Sequence, residues 1–241
     1  MGPQVRQEIE TDTAVLDNPA FAALTGPHAY LAERVGQAYR YPVDVSPFVA
    51  VPDNPGPGVW DDLFALFGPD QSLARPSAAL DPPPGWIVES TIAGVQLVDD
   101  GVADEPFDEA VELTAADVPD MLELVSRTKP GPFLPRTIEL GTYLGVRRDG
   151  RLIAMAGERL HPPGWTEISA VCTDLEFRGQ GLGTRLVLAV AHGIRQRGET
   201  PFMHASASNT NAIRLYESIG FRLRTRTVFG AVRTPAVGVP R

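Results

Sequence analysis

One cysteine, Cys172, stands in 241 residues, so no intramolecular disulfide can brace the fold. No apolar run is long enough to span a bilayer, and Met1 to Thr13 is polar and acidic, unlike a secretory leader. Cationic residues are outnumbered: 21 Lys and Arg face 30 Asp and Glu, a net charge of -9 that argues against nucleic acid as a partner. His28, His161 and His192 are scattered without metal-ligand spacing, so no metal is expected. The absences together predict a reduced, cytoplasmic protein without membrane segments.

Against that background one stretch stands out, Arg178-Gly179-Gln180-Gly181-Leu182-Gly183-Thr184. Upstream, Ile168 to Thr173 is an apolar, β-branched run of strand length. Downstream, Leu182, Leu186, Ala189, Val190, Gly193 and Ile194 recur at helical spacing with Arg185, His192, Arg195 and Arg197 on the other side. The first turn of such a helix has backbone N–H groups without intrahelical partners at the positive end of its dipole. Glycines beside it let phosphate oxygens approach those donors, so the stretch predicts a cradle for a phosphorylated cofactor. A P-loop is excluded because no Gly-Lys-Ser/Thr ending is present, and the dinucleotide fingerprint wants Gly or Ala where Thr184 stands. Glu199 keeps the dinucleotide reading alive as a minor rival.

The following segment, Pro201 to Phe221, divides into a strand, a polar turn and a helix capped at Ser208 or Asn209 and stopped at Gly220. Arg-x-x-Gly-x-Gly, then Asn209-x-x-Ala212-x-x-x-Tyr216-x-x-x-Gly220-Phe221, resembles the GNAT superfamily of acyl-CoA-dependent N-acyltransferases. Less specific elements upstream extend the resemblance over roughly the last half of the chain. Glu112 to Thr114 would open it as a strand, Ala115 to Arg127 and Arg136 to Leu140 would be helices, and Asp149-Gly150 would turn a hairpin of Tyr143–Arg147 with Leu152–Glu158. Phe221 to Phe229, alternating with Arg222, Arg224 and Arg226, would close it as a strand. The expected fold class is α/β, a central mixed sheet flanked by helices.

Residues 1–108 are different in texture. Ten of the 23 prolines lie between Pro42 and Pro84, yet Trp60, Leu63, Phe64, Phe67 and Trp86 argue for packing. The expectation is a smaller Pro-rich α/β accessory region, a remnant of a degenerate GNAT-like half, ahead of an acyltransferase domain over 109–241. Within it Pro19 to Tyr39 should be helical, Phe48–Val51 and Ile92–Val98 strands, and Val59–Phe67 a short helix, with the acidic stretch Asp99 to Glu109 as a solvated boundary.

The resemblance also implies roles. Acetyl-CoA would lie on the backbone of Val171, Cys172 and Thr173 and on the Arg178–Thr184 cradle, with Asn209 near its pantetheine chain. Cys172 itself reads as a small buried residue. An alkylammonium has a pKa near ~10 and must lose a proton before attacking a thioester, so a base is required. His204 and Glu167 both match family positions for it, directly or through water, while Tyr216 matches the acid that protonates the departing thiolate. The expected activity is acetyl transfer to a primary amine in a ternary complex, by a monomer or homodimer. The alternatives are a non-catalytic acyl-CoA sensor and, more distantly, a dinucleotide-dependent oxidoreductase.

Overall fold

The computed structural model describes residues 13–74, 81–103 and 105–237. In chain order these form α1 (Pro19–Leu24), β1 (Glu33–Val35), β2 (Ala38–Arg40), β3 (Val49–Ala50), α2 (Val59–Phe67), β4 (Ser72–Ala74), β5 (Ile87–Asp99), β6 (Val111–Glu112), α3 (Val118–Thr128), β7 (Tyr143–Arg148), β8 (Arg151–Glu158), β9 (Trp165–Thr173), α4 (Leu182–Gln196), β10 (Thr200–Ser206), α5 (Thr210–Ser218) and β11 (Phe221–Arg233). Local chemistry sets many of the boundaries. Thr114 and Asp117 close a capping box ahead of α3, and Lys129, left-handed at φ 51°, ends that helix. Asp149 and Gly150, at φ 48° and 79°, make the tight turn of the β7–β8 hairpin. Gly220 stops α5 at φ 105°, where a Cβ would stand 2.6 Å from the Val102 nitrogen, so only glycine fits.

An eight-stranded sheet in the order β4-β11-β5-β10-β9-β8-β7-β6 forms the centre, and β1-β2-β3 make a separate small sheet. Within the large sheet β9 and β10 run parallel and every other pair is antiparallel. The apolar stripe of α4, including Leu186, Val190 and Ile194, packs on one face against Ile153, Ile168 and Met203. Burying each such side chain contributes roughly 1.5–3 kcal/mol. The opposite face is covered by two pieces. Helix α3 packs over Tyr143, Met155 and Cys172, and the amino-terminal segment lays Leu16, Leu24 and Tyr41 over Val98, Trp165 and Phe202.

Four sequence expectations are corrected. Pro19 to Tyr39 is helical only to Leu24: Gly26-Pro27 interrupts the helix, a 3-10 turn follows at Ala29–Leu31, and Gly36 turns the β1–β2 hairpin. The strand expected at Ile92–Val98 is longer and lies inside the large sheet, antiparallel to both β10 and β11. The segment ahead of residue 108 therefore supplies an interior strand to the sheet that carries the cradle. Asp99, expected in a solvated stretch, is instead anchored: it ion-pairs with Arg195 of α4 and accepts from the Gly101 and Val102 N–H groups. Arg136 to Leu140 is a 3-10 turn over Thr137–Leu140.

Candidate active site

The β9–β10 ladder runs from Trp165↔Thr200 to Ile168↔Met203 and stops there. Beyond it β9 continues only alongside β8, and β10 only alongside β5, so the two strands part into a wedge. A β-bulge sharpens the opening: Met155 pairs with Cys172 and Gly157 with Ser169, leaving Ala170 and Val171 opposite Ala156. Ala170 sits at φ 53°, a conformation costing a non-glycine residue on the order of 1–3 kcal/mol. The bulge sends Ala170 to the α3 side and Val171 to the α4 side. Bare backbone of Val171, Cys172 and Thr173 is thereby left along one arm of the wedge.

At the end of that arm the chain turns through Leu175–Phe177 into the glycine-rich stretch. Gly179 and Gly181 are left-handed at φ 79° and 75°, and a Cβ on either would meet nothing within 4 Å. The first helical bond of α4 is Arg185 N–H to the Gly181 carbonyl, 3.0 Å. The N–H groups of Gly179, Gln180, Gly181, Leu182, Gly183 and Thr184 thus have no backbone acceptor among the described residues. The turn sits beside β9, with a notional Gly183 Cβ in ordinary contact 3.6 Å from the Thr173 hydroxyl. Arg178 is exposed and donates from Nε to the Thr173 carbonyl at 3.2 Å. Six such donors at and just before a helix N-terminus make this turn able to hold an anionic group.

The opposite arm carries Tyr216 and Asn209. Tyr216 is buried in the α4-side core and its hydroxyl has no hydrogen-bond partner among the described residues. Burial pushes its phenol up to about 12, so it holds its proton throughout the physiological range. The Asn209 side-chain oxygen caps α5, accepting from Ala212 N–H at 3.2 Å, which leaves its amide hydrogens as donors. Cys172 points to the α3 side, where burial raises its thiol to about 11, so the sulfur is no nucleophile.

Glu167 and His204 meet at the apex of the wedge, on the face covered by the amino-terminal segment. His204 Nδ1 lies 2.7 Å from Glu167 Oε1. Glu167 is fully buried and takes both arms of Arg159, at 2.6 and 2.8 Å. Burial alone would raise the Glu167 carboxyl, but Arg159 and His204 more than offset it and hold it near about 2. It is a permanent carboxylate partner of the histidine and has no lone pair turned to solvent. On its other side His204 Nε2 lies 3.0 Å from Gln96 Nε2, and Gln96 in turn is held by Arg224 and the Leu16 carbonyl. The alternating Arg stripe of β11 is accordingly split: Arg224 is turned inward to Gln96 and Asp17, and Arg222 stands out beside Asp100.

Arg159 and Asp174 carry no signal that singles them out in the sequence, and Arg224 stands out there only as part of the alternating stripe of β11. Asp174 binds both Arg127 and Arg151 and ties the turn before the cradle to α3 and β8. Gln96, a single amide within Gly94-Val95-Gln96-Leu97-Val98, was the one readable sign, since a lone polar residue in an apolar strand needs buried partners. Among the described residues no group of three His, Cys, Asp or Glu could hold a metal ion, and no helix is long and apolar enough to cross a membrane. A cavity of about 370 Å³ opens between Phe48, Phe67, Leu73 and Gly230, and no cradle residue lines it.

This geometry has close counterparts. A GNAT-family protein from Novosphingobium aromaticivorans DSM 12444 superimposes with a TM-score of 0.81 at 39% identity, over 90% of this chain and 97% of that one. The chain belongs to the GNAT family. The FR47-like protein family matches residues 143–230, which span β7 through most of β11. Mycothiol acetyltransferase from Thermomonospora curvata is 43% identical over 82 residues, 34% of this chain and 27% of that protein. N-alpha-acetyltransferase RimI from Mycobacterium tuberculosis is 32% identical over 83 residues, 33% of this chain and 51% of that protein. The chain thus matches about a quarter to a half of the length of these curated relatives.

Proposed function

We propose that this GNAT protein transfers an acetyl group from acetyl-CoA to a primary amine by direct attack in a ternary complex. The observation that carries the reading is the wedge beyond Ile168 and Met203, with its bulge at Ala170–Val171 and six unpaired N–H groups at its mouth. Residues Arg178 to Thr184 hold the pyrophosphate, and the Val171–Thr173 backbone with Asn209 holds the pantetheine arm. The thioester then lies near the apex, where backbone donors stabilise the developing oxyanion. Glu167 and His204 act as one dyad rather than as rival bases: the carboxylate orients the ring through Nδ1, and Nε2 takes the ammonium proton. Tyr216 supplies the proton to the departing thiolate. The names of the relatives, one for mycothiol and one for an α-amine, keep small-molecule and polypeptide amines within the acceptor class.

A second reading, an acyl-CoA-binding module without turnover, is favoured by one observation: both nitrogens of His204 already have partners within the protein. Calorimetric titration with acetyl-CoA, followed by thiol release against a panel of amines, separates the two. Tight binding with release on adding an amine is expected. Binding without release from any amine would give the second reading, and no CoA binding would defeat both.

A further inference from the structure

Glutamine side chains offer an acceptor and a donor end, and the partners of Gln96 fix which is which. A guanidinium only donates, so the atom 2.9 Å from Arg224 Nη1 is the amide oxygen. A carbonyl only accepts, so the atom 2.8 Å from the Leu16 oxygen is the amide nitrogen. The second hydrogen on that nitrogen is directed at His204 Nε2, 3.0 Å away. A proton on Nε2 would meet it head-on. The ring therefore carries its proton on Nδ1, toward Glu167, and its lone pair on Nε2.

Both ring nitrogens are engaged. From β9 the Glu167 carboxylate, itself paired with Arg159, accepts from Nδ1. From β5 the Gln96 N–H donates to Nε2, backed by Arg224 of β11, which is anchored to Asp17 and the Thr13 carbonyl. Phe202 on the same strand and Phe229 of β11 pack edge-on at 5.7 Å and bring no charge. Gln96 is 2% exposed and both its ends are fixed.

We infer that Gln96, supplied by the amino-terminal region, is a positioning residue for acetyl transfer: with Glu167 it fixes the ring of His204, and it holds the Nε2 lone pair in a hydrogen bond that the acceptor amine's proton must break. The inference rests on His204 being the proton acceptor. It also assigns a task to the segment before residue 108, which holds none of the cradle residues.

Gln96→Glu is the decisive variant. It keeps an oxygen for Arg224 and presents a second carboxylate to Nε2, which draws a proton there and makes the ring an imidazolium. Gln96→Met removes the donor without adding charge. Ring ¹⁵N resonances of His204, assigned among the four histidines by loss in His204→Gln, report the tautomer, while thermal melts and acetyl-CoA titration confirm folding. The expected result is an unprotonated Nε2 in the wild type, a protonated one in Gln96→Glu and, in Gln96→Met, a ring that keeps its Nδ1 proton toward Glu167 while the Nε2 resonance shifts on losing its hydrogen bond. With it, the acid-side limb of the kcat/KM–pH curve moves to higher pH in Gln96→Glu, each unit costing about tenfold in rate at neutral pH. A wild-type ring protonated on Nε2, or a ring unchanged in Gln96→Glu, overturns the inference. Ring signals that change as expected over superimposable pH–rate curves also overturn it, because His204 is then not the base. In that case thiol release by the wild type leaves acetyl transfer itself standing.

Discussion

The two ends of the β9–β10 pair are built on opposite principles. At the closed end, up to Ile168 and Met203, backbone groups are paired and side chains supply the polarity: Arg159, Glu167, His204, Gln96 and Arg224 satisfy one another in a chain. At the open end the backbone supplies much of the polarity, through the bulge and the Gly179–Thr184 donors. Buried charges are tolerated only when every member is paired, so the closed end offers no free group to a cofactor. Unpaired amides are tolerated only where something else satisfies them, so the open end is where the proposal seats the cofactor. The difference teaches that, in the proposed reaction, the conspicuous titratable cluster handles the proton and the inconspicuous backbone holds the cofactor.

Tyr216→Phe tests the open end most severely. If the phenol protonates the thiolate, kcat falls by about two to four orders of magnitude while acetyl-CoA affinity, read by calorimetry, stays as in the wild type. Turnover unchanged in the variant would reduce Tyr216 to a core residue beside Phe221. The closed end is broken by Arg159→Met, which leaves Glu167 buried without its cation and costs about 3–5 kcal/mol in chemical denaturation. Arg159→Met combined with Glu167→Gln should recover part of that loss. If the double variant is as unstable as the sum of the singles, the pair does not act as a unit.

The same contrast governs what could be read from the sequence. The open end was legible because its chemistry is local: the glycines, the α4 stripe and the Asn209-to-Phe221 pattern are contiguous, and each element follows from residues a few positions apart. The closed end was legible only as two unconnected candidates, since Glu167 and His204 meet from two different strands and are backed by Gln96 and Arg224, which lie far apart in the chain. Pairing β5 between β10 and β11 is what assembles them, and no local pattern announces a strand that crosses from one region of the chain into another's sheet. The helix expected over Pro19 to Tyr39 failed for a different reason: Gly26-Pro27 and Gly36 were visible breakers outweighed by the apolar content around them.

A smaller change sharpens the comparison. Gly181 is left-handed with open space around a notional Cβ, so Gly181→Ala clashes with nothing in the protein and costs about 1–2 kcal/mol of backbone strain. The new methyl group stands in the donor array, however. Losing one charge-assisted N–H contact to a phosphate oxygen is worth about 1.5–3 kcal/mol, so acetyl-CoA should bind roughly ten- to a hundredfold more weakly. Equal affinity in wild type and variant would place the pyrophosphate elsewhere.

The mildest test is pH. Next to the closed end, His28 and His161 lie with ring centroids 4.9 Å apart, and burial, joined by each ring's cationic neighbour, lowers both to about 4 from an ordinary 6.5. The unfolded chain binds protons on these rings below 6.5 and the folded chain does not until about 4, so stability is complete above 6.5 and falls as pH drops through that window. The slope is at most about 1.4 kcal/mol per pH unit for each ring, and less for two rings this close, because the first proton repels the second. Below that window Glu167 takes over with the same sign: its carboxyl, held near about 2, contributes stability that is present above 4.5 and lost as pH falls toward 2. Denaturation midpoints should therefore decline in two stages on acidification. His161→Gln should flatten the first stage and leave the second, whereas Arg159→Met should weaken the second; a single stage untouched by either variant would mean that other carboxylates dominate acid unfolding.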